Sequence, residues 1–528
     1  MNLAGIVDAH PADAPALVTA AGEVTSYRDL RAGVAAMQAR LAKAGVGVDD
    51  RVAIACPNQC GFVVAYLAVL RIGGVAVPLN PASPPAELGR QLGQVDVAAA
   101  IADQKRRLAL DAIAPALGVP VLEAEPEDAE LGAAEEEVPA PAMAVRQPSD
   151  LAALLFTSGT ADAPRPAMLT HGNLLANLDQ VQRHPGRAVE ATDRILAVVP
   201  LSHIFGLNAV LGTALYAGAS LLLVDRVDPA ELLRLIGQFG VTVLVGTPTL
   251  YAALSARLAA YAQALDAASD AASALASSAA AAAPSAHAIA GHPLPAVRWA
   301  FCGAAPLSSE VAGNWARQSG LPLRQGYGLT EASPVVTASV MDEPPRPGSI
   351  GVPVPDVEIR LVDEDGDVAL AGDPGEIWVR GPNVFPGYWH DPEATAIALT
   401  DGWLRTGDIA VVADDGQLSI VDRAKDLIIV SGFNVYPAEV EDTLSDHPAV
   451  AEVAVVGEAD AYRGETVHAF VVPAAASGDR QGAVAAPELI AWCATRLARY
   501  KCPTEITIVP SLPRALGGKV LRRSLRTP

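Results

Sequence analysis

The stretch LLFTSGTADAPRPAMLTH, residues 154–171, decides how this chain is interpreted. It begins with apolar residues typical of a buried strand and passes into TSGT, residues 157–160, where small hydroxyl side chains surround a glycine. Backbone N–H groups and hydroxyls in such a turn can converge on phosphate oxygens. Because TSGT also suits an ordinary turn, the prediction of a phosphate loop depends on the rest of the chain.

Length and charge limit the class of protein. At 528 residues the chain is too long for one hydrophobic core, so two or more domains are expected. The formal charge of −22 argues against a general nucleic-acid binder, which needs a basic surface, and we expect no nucleic-acid partner. A local basic pocket for a nucleotide is still compatible with this charge.

The sequence also bears on the compartment. No basic segment followed by an apolar core opens the chain, so no signal peptide is expected. The apolar run GFVVAYLAVLRIGGVAVPL, residues 61–79, is interrupted by Arg71 and by Gly73-Gly74, which predicts a buried helix followed by a buried strand instead of a transmembrane segment. The five cysteines match no common zinc pattern and are expected to be free thiols. We therefore expect a cytoplasmic protein.

The apolar pattern predicts an α/β fold. Continuous runs such as RVAIAC (51–56), VTVLVGTP (241–248) and VRWAFCG (297–303) are typical of strands buried on both faces, and amphipathic segments such as 26–45 separate them. After about residue 340 short alternating strands indicate an antiparallel section, and a second α/β pattern begins near Lys425. The Ala-rich segment at about 255–291 is expected to be a partly helical surface insertion.

Three further motifs carry chemistry. In QGYGLTEASP, residues 325–334, Tyr327 can present a flat face to a base, while Thr330 and Glu331 supply a hydroxyl and a carboxylate suited to phosphate and Mg²⁺. In GWLRTGDIA, residues 402–410, Asp408 can accept hydrogen bonds from ribose hydroxyls. In PRALGGKVLRR, residues 513–523, a Gly-Gly turn presents Lys519, a cation suited to charge that develops on phosphate.

Taken in order, these motifs resemble the adenylate-forming superfamily, which includes acyl- and aryl-CoA synthetases, luciferases and the adenylation domains of peptide synthetases. The resemblance covers nearly the whole chain, because further segments fall in the family's order: PLNPASPP (78–85), PLSHIFGLN (200–208), CGAAPL (302–307) and VDRAKDLIIVSGFNVYPAEVE (421–441). It implies a large N-terminal domain, residues 1–422, with two sheet–helix subdomains and a small β-barrel. A smaller mobile C-terminal α+β lid domain, residues 423–528, is implied to follow.

The resemblance also implies the roles of individual residues. Those implied to bind the nucleotide are Thr157, Ser158, Gly159, Thr160, Arg165, Gly303, Ala304, Ala305, Gln325, Gly326, Tyr327, Thr330, Asp408, Arg423 and Lys519. Those implied to form the acyl pocket are His203, Phe205, Gly303, Ala304 and Gly328. The implied catalytic residues are Lys519, Thr330, Glu331 and His203, with Glu331 as the Mg²⁺ ligand. Lys425 matches the hinge, and Ser431 with Gly432 the CoA-binding segment.

The reaction implied by the resemblance is that of an AMP-forming acid–thiol ligase, an acyl-CoA synthetase. A carboxylic acid is activated with ATP and Mg²⁺ to an acyl-adenylate, and the acyl group then passes to CoA. An acyl carrier protein is the alternative acceptor. Because Ser202–Phe205 lacks the carboxylate that would pair with an amino-acid substrate, a fatty or aryl-propenoic acid is expected, and the choice between the two stays open.

The phosphate loop departs from the family pattern. Asp162 stands where the family has glycine, Arg165 where it has lysine, and Pro166 where it has a second glycine. These changes add a carboxylate, replace an ammonium by a planar guanidinium and remove a backbone donor. A nucleotide-binding pseudoenzyme is therefore the alternative function. An active enzyme is favoured because Thr330, Glu331, Asp408, Arg423 and Lys519 are all retained.

Overall fold

The structure is a computed structural model of the chain. It describes residues 1–111, 113–114, 118–124, 141–157, 164–185, 189–225, 228–278, 294–340, 343–363, 365–423, 428–430, 433–435, 437–460, 464–474, 485–497, 499–514 and 520–525.

The chain forms two compact units. The larger unit comprises Met1–Glu358 and Val379–Leu404, and the smaller unit comprises Ile359–Trp378 and Arg405–Pro528. The predicted domain boundary between residues 422 and 423 stays a prediction. Among the helices of the described residues, none combines the length and apolar character needed to cross a membrane.

The described strands are β1 (Pro15–Thr19), β2 (Val24–Ser26), β3 (Arg51–Ala55), β4 (Val75–Pro78), β5 (Ala99–Ala102), β6 (Val121–Glu123), β7 (Leu151–Thr157), β8 (Arg165–Thr170), β9 (Arg194–Ala197), β10 (Ser220–Leu223), β11 (Val243–Gly246), β12 (Trp299–Cys302), β13 (Leu323–Gly328), β14 (Val335–Ala338), β15 (Ser349–Pro353), β16 (Glu358–Val362), β17 (Gly375–Arg380), β18 (Leu399–Thr400), β19 (Trp403–Val412), β20 (Leu418–Arg423), β21 (Ile428–Val430), β22 (Phe433–Val435), β23 (Val450–Asp460), β24 (Gly464–Pro473) and β25 (Glu505–Ile508).

The described α-helices are α1 (Tyr27–Lys43), α2 (Cys60–Ile72), α3 (Pro85–Gln94), α4 (Gln104–Asp111), α5 (His171–Arg183), α6 (Thr213–Ala217), α7 (Pro229–Gln238), α8 (Pro248–Ser278), α9 (Ser309–Ser319), α10 (Pro392–Ala398), α11 (Pro437–Ser445) and α12 (Ala486–Ala494). A π-helix, Phe205–Gly212, leads directly into α6. Short 3₁₀ helices occupy Leu3–Val7, Thr330–Ala332, Arg499–Lys501 and Arg522–Ser524.

Two sheets organise the larger unit, and the predicted α/β class is confirmed. One has the order β6-β5-β3-β4-β7-β8, with β7 and β8 antiparallel and the other pairs parallel. In the other, β13-β12-β11-β9-β10-β1 are parallel neighbours, β2 adds antiparallel to β1, and β14 and β15 add antiparallel after β13. The strands predicted from apolar runs are almost entirely buried, as expected for a sheet covered on both faces.

The helix termini follow local sequence signals. Ser26 caps α1 by accepting a hydrogen bond from the Asp29 N–H, and Asp29 completes a capping box. Thr170 caps α5 in the same way with Asn173. The predicted buried helix and strand at 61–79 correspond to α2 and β4.

The predicted Ala-rich insertion begins inside a core helix. Helix α8 starts at Pro248. Ser255 is buried, and Leu258 belongs to the buried apolar cluster that includes Trp315 and Tyr251. Residues 262–264 are exposed, so the surface part of this segment begins after Leu258 and not at Ser255. The rest of the predicted insertion, from residue 279, lies outside the described residues.

The smaller unit has its own sheet and core. Strands β22-β21-β24-β23 are neighbours in that order, and β25 pairs parallel with β24. One face of this sheet packs on α11 and α12 through a buried cluster that includes Val440, Leu444, Val467, Leu489 and Cys493. These elements match the second α/β pattern predicted from the sequence, with the addition of the short strand β22. Strands β19 and β20 form an antiparallel pair in the section predicted to be antiparallel.

Candidate active site

Strands β7 and β8 bracket the predicted phosphate loop. Thr157 ends β7 and pairs in register with Arg165, which begins β8. The Thr157 side chain is nearly buried, and its hydroxyl donates to the Arg165 carbonyl over 3.3 Å. The two strands therefore hold both ends of the loop. Ser158, Gly159, Thr160 and Asp162 lie outside the described residues, so their predicted roles stay predictions.

Arg165 is engaged within the larger unit. Its Nε lies 2.9 Å from Asp391 Oδ2, and both side chains are about one-third exposed. The other oxygen of the Asp391 carboxylate accepts the Ala394 N–H over 2.9 Å and so caps helix α10. The guanidinium thus faces a fixed carboxylate, a contact that the sequence did not predict. The assignment of Arg165 to the nucleotide stays a prediction.

Pro166 lies on the edge strand of its sheet. Its carbonyl accepts the Trp389 N–H over 2.9 Å, and two residues further on the Met168 N–H donates to the Gly387 carbonyl. Because backbone groups two residues apart on a strand point to the same side, the nitrogen of Pro166 faces the segment 387–389 and not β7. An edge position of this kind tolerates proline. The pairing of β7 with β8 therefore loses no hydrogen bond at Pro166.

The adenine-binding residues predicted from the sequence meet at one edge of the parallel sheet. Gly303, Ala304 and Ala305 follow β12 directly, and Gln325–Tyr327 form the end of β13, with Cys302 and Gln325 in register. The carboxyl ends of parallel strands are where ligands bind in open α/β sheets. Ala304 has a φ of +69°, a left-handed conformation that costs an alanine about 1 kcal/mol.

Packing requires glycine at both glycine positions of QGYG, in addition to the predicted role of this motif. A Cβ on Gly326 would lie 2.5 Å from the Phe301 ring, and a Cβ on Gly328 would lie 1.9 Å from the Pro334 carbonyl oxygen. The Phe301 ring and the Pro334 backbone therefore leave no room for a side chain at these two positions. Half-buried Tyr327 lies between them, in register with Thr337 of β14.

The predicted metal ligand Glu331 is held by a tyrosine. Thr330 and Glu331 form a one-turn 3₁₀ helix just after β13. The Tyr388 hydroxyl donates to Glu331 Oε1 over 2.7 Å, and the Glu331 carbonyl accepts the Phe385 N–H over 2.8 Å. Burial, followed by the adjacent Glu331 carboxylate, raises the pKa of Tyr388, so the phenol stays protonated and donates. Sequence reasoning missed Tyr388, which is 57 residues away from Glu331.

His203 and Phe205 lie at the start of the π-helix. His203 Nδ1 accepts the Phe205 N–H over 3.2 Å. Desolvation by the surrounding protein lowers the pKa of the imidazole, although the residue keeps an exposed surface. The ring of Phe205 packs on Gly303, where an added Cβ would lie 3.2 Å from Phe205 Cζ. The structure thus brings three predicted acyl-pocket residues together.

In the smaller unit, the predicted ribose ligands are cross-strand neighbours. Asp408 of β19 lies directly opposite Arg423 of β20 in an antiparallel pair. Asp408 is nearly buried, and its N–H donates to Thr406 Oγ1 over 3.1 Å. The register therefore places the two residues side by side, as their shared assignment requires. Lys425, Ser431, Gly432 and Lys519 lie outside the described residues.

The described residues on either side of Lys519 contact each other. Arg514 and Val520 form an antiparallel bridge, and the Leu521 N–H donates to the Pro513 carbonyl over 2.8 Å. Arg522 then binds the carboxylate of Glu441 of α11 over 2.6 Å. Glu441 also accepts the Val455 N–H over 2.7 Å. These contacts join residues 513–514 to residues 520–521 and hold Arg522 on α11.

Comparisons with known proteins agree with this arrangement. Residues 5–389 match the model of the AMP-binding enzyme family, and residues 439–519 match that of the AMP-binding enzyme C-terminal domain. The chain is 35% identical to a long-chain-fatty-acid–CoA ligase of Escherichia coli O157:H7, an alignment that covers 98% of this chain and 92% of that enzyme. It is 35% identical to a feruloyl-CoA synthase of Amycolatopsis sp, over 96% of this chain and 94% of that enzyme.

A solved structure agrees as well. The chain superimposes on the ATP-bound MatB of Rhodopseudomonas palustris with a TM-score of 0.85 and 31% identity, covering 100% of this chain and 98% of that one. The predicted organisation into a large N-terminal sheet–helix region and a separate small C-terminal domain is confirmed, and so is the predicted enzyme class, an AMP-forming acid–thiol ligase. The chain belongs to the AMP-binding enzyme family.

Proposed function

We propose that this protein activates an apolar carboxylic acid with ATP and Mg²⁺ and transfers the acyl group to CoA. In the first step a carboxylate oxygen bonds to the α-phosphorus of ATP, and the bond from that phosphorus to pyrophosphate breaks. In the second step the thiol sulfur bonds to the acyl carbon, the bond to AMP breaks, and the thiol proton is released. The mixed anhydride is needed because a free carboxylate resists nucleophiles.

One observation carries the ATP site: the predicted nucleotide and metal residues follow adjacent strands of one sheet. Gly303–Ala305 come after β12, and Gln325–Tyr327 with Thr330 and Glu331 come at the end of β13. The Glu331 carboxylate and the Thr330 hydroxyl are oxygen groups of the kind that Mg²⁺ prefers, and Tyr388 fixes Glu331. Bound Mg²⁺ would neutralise phosphate charge there. We assign ribose to Asp408 and Arg423, and phosphates to Thr157–Thr160 with Arg165.

The acid site supports an apolar substrate. Phe205 and Gly303 pack on each other, and residues 202–205 offer no carboxylate or ammonium for a charged acyl group. The relatives that act on long-chain fatty acids and on ferulic acid are equally similar to this chain, at 35% identity. We therefore propose a fatty or aryl-propenoic acid. His203 is assigned to the substrate carboxylate, and Ala304 with Gly328 to the pocket rim.

CoA is the proposed thiol, because the relatives named above are CoA ligases. Ser431 and Gly432 are assigned to its binding, Lys425 to the hinge, and Lys519 to bridging the acid carboxylate and the α-phosphate. A loaded carrier protein is the alternative acceptor. It requires the same acyl-adenylate, so only the second step distinguishes the two.

The test is acid-dependent ATP–pyrophosphate exchange with Mg²⁺ and no thiol, over a panel of fatty, aryl-propenoic and amino acids. Exchange with fatty or aryl acids alone is the expected result, followed by thioester formation when CoA is added. Lys519→Ala should abolish exchange while thioester formation from supplied acyl-adenylate continues. ATP binding without exchange on any acid would refute the proposal and favour a nucleotide-binding pseudoenzyme.

A further inference from the structure

The sheet of the smaller unit carries a group of ligand-type side chains that the adenylation chemistry does not use. His468 lies on the central strand β24, directly opposite Glu505 on β25. On the other side of β24, Glu458 of β23 pairs with Thr466, two residues from His468 and on the same face. One ligand atom from each of His468, Glu458 and Glu505 lies within 4.8 Å of the others.

His468 is buried in this group, at 6% exposure, and its two nitrogens differ. Nε2 lies 2.9 Å from the Thr507 hydroxyl oxygen. Nδ1 lies 3.0 Å from Glu458 Oε1, yet it forms no hydrogen bond within the described part of the chain. Because 3.0 Å is short enough for a hydrogen bond, the carboxylate oxygen must lie off the N–H direction. A buried imidazole nitrogen therefore faces a carboxylate without the geometry of an ordinary hydrogen-bonded pair.

This geometry is that of two neighbouring ligands of one metal ion. If Nδ1 and Oε1 each lie about 2.1 Å from a shared ion, a separation of 3.0 Å corresponds to an angle of roughly 90° at that ion. Thr507 fits the same arrangement, because a hydroxyl that accepts from Nε2–H leaves the Nδ1 lone pair for the metal. Glu505 is exposed and supplies a third ligand from the neighbouring strand.

We propose that His468, Glu458 and Glu505 bind a divalent transition-metal ion such as Zn²⁺. An imidazole nitrogen favours Zn²⁺, Fe²⁺, Ni²⁺ or Cu²⁺, whereas Mg²⁺ prefers oxygen ligands alone. The site therefore selects a different ion from the one used with ATP. A bound ion joins strands β23, β24 and β25, and binding to the folded state alone stabilises the smaller unit by mass action.

The test uses the full chain, freed of metal with a chelator and titrated with Co²⁺ or Zn²⁺ by absorption and calorimetry. The variant Glu505→Gln removes an exposed ligand, so the fold is retained. The matched control is Glu488→Gln, since Glu488 is also exposed and lies 3.8 Å from the buried His447. We expect one equivalent of ion in the wild type, affinity lowered about tenfold or more in Glu505→Gln, and no change in Glu488→Gln.

Thermal unfolding gives a second measurement. Micromolar Zn²⁺ should raise the unfolding temperature of the wild type and of Glu488→Gln, and raise that of Glu505→Gln much less. Equal Zn²⁺ affinity in the wild type and Glu505→Gln would overturn the proposal, and so would the absence of any binding. In either case the 3.0 Å contact of His468 with Glu458 would be an ordinary ion pair.

Discussion

The Tyr388 hydroxyl donates a 2.7 Å hydrogen bond to the carboxylate of Glu331, the predicted Mg²⁺ ligand. Tyr388→Phe should therefore leave Glu331 less well oriented and raise the Mg²⁺ concentration needed for half-maximal ATP–pyrophosphate exchange. A hydrogen bond to a charged group contributes about 1.5–3 kcal/mol, which sets the loss of exchange rate at roughly 10- to 100-fold. An unchanged Mg²⁺ dependence, as expected for the control Tyr216→Phe, would mean that Tyr388 only supports the fold.

The ion pair of Arg165 with Asp391 limits what Arg165 can do for phosphate. Asp391→Asn keeps a side chain able to cap α10 but removes the charge that holds the guanidinium. If Arg165 binds the leaving pyrophosphate, this variant should lower the KM for ATP by up to about fivefold, the range of a partly exposed ion pair. If the double variant Arg165→Ala/Asp391→Asn has the same KM for ATP as Asp391→Asn alone, Arg165 does not reach the nucleotide.

The contact of Phe205 with Gly303 should set the width of the proposed acid pocket. Gly303→Ala places a methyl group 3.2 Å from Phe205 Cζ and forces the ring aside. Overpacking of this kind costs about 1–3 kcal/mol, so the KM for the acid should rise about tenfold, and more than the KM for ATP. Phe205→Leu in the same chain should recover most of the loss. A larger effect on ATP than on the acid would place Gly303 in the nucleotide groove alone.

Acid sensitivity should depend on His171 at the start of α5. Burial, reinforced by Arg146, lowers the pKa of His171 to about 4, below the unfolded value of about 6.5. Between these values only the unfolded chain binds the proton, so stability falls with decreasing pH, by up to about 1.4 kcal/mol per pH unit. Above pH 6.5 both states are neutral and the effect vanishes.

His171→Asn tests this, because an asparagine oxygen can still accept the Leu3 N–H that bonds to His171 Nδ1. The variant should lose less stability than the wild type between pH 7 and pH 4.5, measured by urea unfolding. The exposed His390, changed to Asn, is the control. If the stability of His171→Asn and of the wild type depends on pH in the same way, His171 does not cause the acid sensitivity.

The ion pair of Glu441 with Arg522 should stabilise the smaller unit more than the more exposed pair of Arg514 with Glu452 does. Arg522→Met leaves the Glu441 carboxylate, whose pKa is already raised by burial, without its guanidinium. We expect a loss of about 1–3 kcal/mol in the free energy of unfolding of the smaller unit. Arg514→Met breaks the more exposed pair with Glu452 and should cost under about 1 kcal/mol. Equal losses would mean that the burial of Glu441 does not make its ion pair the more stabilising one.

Local signals were sufficient for much of the fold. The apolar runs of β11 and β12 each consist of a few consecutive residues, and the structure has strands at both, as predicted. Strand β22 was missed because three residues are too few for a periodic pattern. Pro166 suggested a damaged loop, since the sequence does not reveal that its nitrogen points away from β7.

The sequence suggested residues for the candidate site, but it did not reveal the residues that contact and orient them. Motif order predicted roles for Glu331, Arg165 and Asp408, and these roles stay predictions. Their partners come from distant parts of the chain, such as Asp391, 226 residues from Arg165. No spacing rule links residues so far apart, because the folded backbone alone brings them together. The cross-strand pairing of Asp408 with Arg423 likewise required the register of β19 and β20.

The π-helix Phe205–Gly212 has a consequence for how this enzyme can change over evolutionary time. Each of its turns holds about one residue more than an α-helical turn, and all eight residues are buried. Deleting a single residue would return the segment to α-helical spacing while α6 continues in phase behind it. If Phe205 lines the acid pocket as proposed, this helix can lengthen or shorten by one-residue insertions and deletions, a route to new acid preferences that point substitutions do not provide.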